Sequence, residues 1–97
     1  MPPVGQLDSV RLGVGTATVS GWALDPDTTN PIAVHVYVDS RGTQATANRE
    51  RPDLARYYST TNHGYQVKVQ VPAGRHRICV YAIDVPVGNN PLLSSGT

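Results

Sequence analysis

The chain has 97 residues, a formal net charge of +1 and only 15% charged residues. That length fits one domain and one core. Charges of both signs are scattered along it, which leaves no electrostatic footprint for DNA, RNA or an anionic membrane surface. Valine leads the apolar residues and phenylalanine is absent, while nine glycines and eight prolines punctuate the chain. β-branched residues between frequent breakers predict many short strands and little helix.

Met1-Pro2-Pro3 reads as the start of a linker. Residues 1–5 are therefore expected outside the fold, the domain over 6–93 and a tail over 94–97. No apolar run is long enough for a membrane span, and no signal-peptide pattern is seen. A single cysteine, Cys79, excludes an internal disulfide and a cysteine-rich zinc site.

A first strand is expected over Gln6–Leu12, closed by Gly13-Val14-Gly15, and a second over Thr16–Leu24. The loop from Asp25 to Pro31 carries two prolines and several side chains that cap their own backbone. Ile32–Asp39 is the clearest strand, with Ile32, Val34, Val36 and Val38 alternating against Ala33, His35 and Tyr37. Ser40-Arg41-Gly42 turns the chain into a polar strand over Thr43–Asn48. Arg51–Tyr58 is the one helical candidate, because Pro52 and Asp53 suit a first turn. Tyr65–Val71 places Tyr65, Val67, Val69 and Val71 on one face and Gln66, Lys68 and Gln70 on the other. After Pro72-Ala73-Gly74, Arg75–Val85 is apolar on both faces, as a central strand should be, and Pro91–Leu93 begins the last strand. About seven short antiparallel strands with one helical turn predict an all-β sandwich of the immunoglobulin-like kind.

Five segments then stand in a telling order: Gly21-Trp22-Ala23-Leu24-Asp25-Pro26-Asp27-Thr28, Val34-His35-Val36-Tyr37-Val38-Asp39, Arg51-Pro52-Asp53, His63-Gly64-Tyr65 and Cys79-Val80-Tyr81-Ala82-Ile83-Asp84. Together they resemble an Ig-like module, often in tandem, of secreted actinobacterial proteins such as peptidoglycan hydrolases and other cell-wall enzymes. The resemblance covers about Gly5 to Leu93. It implies a non-catalytic accessory domain, extracellular or at the cell surface, monomeric, that acts as a spacer or a wall-binding module. The family has no firmly attached ligand; cell-wall polysaccharide or neighbouring domains of the same chain are the expected partners. The rival reading is an Ig-like decoration domain of an actinobacteriophage virion. In the family pattern a second cysteine tends to follow the Leu-Leu pair, where this chain has Ser95. If the family bridge joins those positions, it is lost here; closing a loop of about fifteen residues would be worth roughly 3 kcal/mol.

Chemistry has few footholds. Asp25, Asp27 and Asn30 offer oxygen ligands, but the glycine and bidentate glutamate of a calcium loop are missing, so no metal is assigned. An ion pair of Arg51 with Asp25 or Asp27 is expected instead. His35, His63 and His76 have no ligand partners at zinc spacing. No nucleophile elbow, paired catalytic carboxylates or phosphate loop occurs, so no enzyme activity and no cofactor are expected. Trp22, Asp25, Asp27, Arg51, Tyr57 and Tyr58 form the candidate cluster. Its aromatic rings would stack on sugars, or else the same residues pack the helical turn onto the sandwich. Cys79, flanked by Ile78 and Val80, is expected to be a free, largely buried thiol.

Overall fold

The computed structural model describes residues 3–26, 28–83 and 92–96. Seven strands form two antiparallel sheets: β1 (Val4–Gly13), β2 (Thr16–Leu24), β3 (Ile32–Val38), β4 (Arg41–Ala47), β5 (Gly64–Gln70), β6 (Ile78–Ala82) and β7 (Leu92–Gly96). The first sheet has the order β1-β2-β5 and the second β4-β3-β6-β7. The chain therefore changes sheet three times, after β2, after β4 and after β5. The helical segment is a single 3-10 turn over Pro52–Arg56, which buries Leu54.

Period-two patterning sets the register. Ala17, Val19 and Ala23 of β2 and Tyr65, Val67 and Val69 of β5 turn inward from one sheet. Ile32, Val34, Val36 and Val38 of β3 and Ile78, Val80 and Ala82 of β6 meet them from the other. Shifting either strand by one residue would put its whole valine face in water, so the pairing is strongly specified. Val71 lies just past β5, half-buried against this core.

Several boundaries differ from expectation. β1 starts at Val4, so Val4 and Gly5 belong to the sheet, where a linker was expected. A Cβ at Gly5 would meet the Trp22 carbonyl and Ala23 of the adjacent strand, so only glycine lets β1 close up here. β7 runs on through Ser94, Ser95 and Gly96, pairing with Val80, Cys79 and Ile78, where a tail was expected. β6 is shorter than its apolar run because Arg75, His76 and Arg77 belong to the incoming loop; Asp84 and Val85 lie outside the described residues. The β3–β4 connection is a two-residue hairpin in which Asp39 takes φ 55, a left-handed conformation that aspartate tolerates.

Candidate functional site

The Asp8–Arg51–Asp53 cluster is built on three elements. β1 carries a bulge between Leu7 and Ser9, and the extra residue is Asp8. Bulges re-aim side chains, and here the Asp8 carboxylate reaches the guanidinium of Arg51 at 2.8 Å. Arg51 Nε and Nη2 donate to the two oxygens of Asp53 at 3.0 and 2.9 Å, a fork-on-fork pair. The Arg51 stem crosses Gly64 on β5, where a Cβ would come 2.7 Å from Arg51 Cγ. One arginine thus links the 3-10 turn, β5 and, beyond β2, the bulge of β1. The Asp53 hydrogen bonds hold the guanidinium in its charged form, and Arg51 in turn holds Asp53 below the usual carboxylate range.

Of the expected pairings of Arg51 with Asp25 or Asp27, the one with Asp25 is therefore corrected. Among the described residues its carboxylate partners are Asp8 and Asp53. Asp25 is only 2% exposed and accepts from Thr28 N through its backbone carbonyl. Asp27 lies outside the described residues. Asp8 went unnoticed because an alternating pattern does not reveal a bulge.

The aromatic members divide. Trp22 sits on the outer face of β2, half-buried, its ring 5.8 Å from that of Tyr58 and tilted by 54°. Tyr57 points away and is 78% exposed. Asp25, Tyr57 and Tyr58 share a shallow hollow of about 240 Å³ with Leu24, Thr28 and Thr60, while Arg51 stands apart from it. Beside it, His63 is fully buried; its Nε2 lies 2.9 Å from the Thr60 hydroxyl and its Nδ1 has no partner among the described residues. Desolvation lowers its pKa, opposed in part by Glu50.

A second surface lies on the other sheet. His35 and Tyr37 of β3 and Cys79 and Tyr81 of β6 alternate with the core valines and so face outward. With Asp39, Ser40 and Ile83 they line a hollow of about 480 Å³. The Tyr37 and Tyr81 rings stand edge to face, 5.8 Å apart at 87°. Tyr37 lies over Gly42 of β4, where a Cβ would be 2.8 Å from its ring. Cys79 is a free thiol on this face, half-buried and not enclosed, because its parity sets it opposite Ile78 and Val80. The sequence carried half of the signal for this surface: Tyr37 stands at an outward position of β3, whereas β6 is apolar on both faces and does not reveal which way Tyr81 points.

Fold and site together define a seven-stranded β-sandwich with a salt-bridged outer clamp on one sheet and an aromatic hollow on the other. Comparison with family models, curated proteins and solved structures gives no match.

Proposed function

We propose that the chain is a non-catalytic, Ig-like accessory module of a secreted, wall-associated protein, and that its Arg51 cluster serves the fold. In the lettering of Ig-like sandwiches the sheets read A-B-E and C′-C-F-G, which supports the Ig-like assignment. The observation that carries the structural role is the commitment of Arg51. Its Nε, Nη1 and Nη2 are all engaged by Asp8 and Asp53, so little of the guanidinium is left to orient a ligand. Trp22 stands against Tyr58, which supports a packing role for its ring.

Two measurements test this. Incubation of the purified chain with peptidoglycan should release no soluble fragment; release by the parent chain refutes the accessory-module reading. Arg51→Ala should lower the melting temperature and leave co-sedimentation with peptidoglycan at the parent's level. Unchanged melting with lost co-sedimentation would instead make the cluster a binding surface.

A further inference from the structure

We propose that the hollow on the outer face of the second sheet binds a neutral saccharide, with Tyr37 and Tyr81 as the stacking platform and His35 as a polar anchor. This goes beyond the accessory-module reading and does not depend on the Arg51 cluster.

Three observations carry it. The first is shape: about 480 Å³ lies over the paired positions His35–Tyr81 and Tyr37–Cys79, at the centre of the sheet. Ligand hollows generally fall in the range of roughly 300–1,000 Å³, apolar with a few placed polar groups. Side chains of unequal size make this one. Cys79 forms a low floor between two tyrosines, and Gly42 lets the Tyr37 ring settle onto β4.

The second is ring geometry. Because Tyr37 and Tyr81 meet at 87°, their faces cannot cover one another. Both residues stay half-buried, their stems fixed by the sheet, so a stacking surface exists without reordering. Tyrosine combines an apolar face with a hydroxyl tip, which matches the C–H face and hydroxyl rim of a pyranose.

The third is charge. Among the described residues, no lysine or arginine lines the hollow. Its one carboxylate among the described residues, Asp39, is committed on both oxygens, one to the Arg77 backbone N–H at 2.9 Å and the other to His76 Nδ1 at 2.6 Å. His35 is held by Gln44, with 3.2 Å between Nε2 and Oε1, which leaves Nδ1 as the ring's other polar atom. With the Asp39 carboxylate already satisfied, the rest of this lining offers neutral donors and acceptors, and it suits an uncharged, hydroxyl-rich ligand better than a phosphate or an acidic peptide.

The test is nitrogen-15 NMR titration of the intact chain with two neutral probes, N-acetylchitohexaose and cellohexaose. Shifts should appear at His35, Tyr37, Cys79 and Tyr81 with at least one probe. Tyr81→Ala and Tyr37→Ala should each weaken binding about tenfold, the worth of one stacked ring. Tyr37→Phe, which keeps the ring, guards against a folding artefact and should retain most of the affinity. Tyr57→Ala, at the end of the 3-10 turn and away from this face, should bind like the parent. The proposal is overturned if neither probe shifts these residues, or if the shifts centre on Trp22 and Tyr57. It is equally overturned if dilution alone shifts the tyrosine face, since the face would then be a contact between two copies. None of these results touches the peptidoglycan-release test, so the two readings fail separately.

Discussion

The Tyr65 hydroxyl donates to the backbone carbonyl of Gln6 at 2.9 Å, reaching two strands away across Gly21. Gly21 is the register partner of Tyr65, and a Cβ there would fall 2.6 Å from the hydroxyl and into the Gln6 carbonyl. The missing side chain is what gives the tyrosine its path. The bond ties β5 to β1 with β2 between them, and burial pushes the phenol's pKa well above its usual value.

Gly21→Ala should therefore cost about 2–3 kcal/mol, since backbone and a fixed ring must both move. Tyr65→Phe should cost about 1–2 kcal/mol, leaving the Gln6 carbonyl without its partner. Chemical denaturation of the two variants checks this. The double variant should lose clearly less than the sum, because both changes remove one interaction; full additivity would show that the two residues are not coupled.

The Arg51 clamp predicts an asymmetry among its members. Arg51→Ala removes both ion pairs and the stem packed on Gly64, and should cost about 1–2 kcal/mol, most of it packing because surface pairs are screened. Arg51→Lys keeps the charge but not the fork and should recover only part of that loss. Raising the salt concentration should narrow the gap between parent and Arg51→Ala. A gap that ignores salt would mean that the ion pairs contribute nothing.

The β3 core face is the most exposed to a charge. Val36 is fully buried between the sheets, so Val36→Asp should leave no cooperative thermal transition. A parent-like melt would show the register to be wrong.

What was legible in the sequence followed from periodicity. The valine alternation over Ile32–Val38 and the mirrored pattern in β5 place the core residues without any structure. The Arg51 partner was not legible, because Asp8 acquires its direction from a bulge and lies 43 positions away. The exposure of Cys79 was not legible for a related reason. In a strand apolar on both faces, sequence does not say which face is covered, and the sandwich covers Ile78, Val80 and Ala82. Tyr37 was legible as an outward residue, Tyr81 shares the unassigned face of Cys79 and was not, and their convergence depends on the β3–β6 register.

Cys79 and Ser95 are directly opposed in that sheet. Antiparallel partners have Cα atoms about 4.5–5.5 Å apart, within the span a disulfide accepts. Ser95→Cys should consequently form a bridge with Cys79 under air oxidation and add roughly 3 kcal/mol relative to the reduced form. Intact mass under non-reducing conditions and paired melts, with and without reductant, decide it; two free thiols after oxidation would contradict the register. In the parent, Cys79 should react with a thiol reagent under native conditions more slowly than a free peptide thiol but to completion.

Two histidines pull stability in opposite directions with pH. His63 is buried beside Thr60 with its Nδ1 unpartnered among the described residues, and desolvation holds its folded pKa below the ordinary value of about 6.5. The unfolded chain thus takes up a proton that the folded chain refuses. His63's contribution is intact above that value and is lost as pH falls from it toward the lowered folded pKa. His76 behaves inversely. The Asp39 hydrogen bond raises its folded pKa, so its contribution is full below about 6.5 and fades as pH rises through the raised value. Asp39, lowered chiefly by the Arg77 backbone N–H and then by His76, stays ionised throughout this window. His76→Asn should flatten the loss on the alkaline side, and its difference from the parent should shrink steadily from mildly acidic to mildly alkaline pH. His63→Gln should weaken the domain at neutral pH, where a packed imidazole is lost, yet fall less steeply than the parent on acidification. Melting temperatures measured in closely spaced buffers on both sides of the ordinary histidine pKa give the slopes directly. A parent whose acid-side slope survives His63→Gln unchanged would remove the buried imidazole as its source.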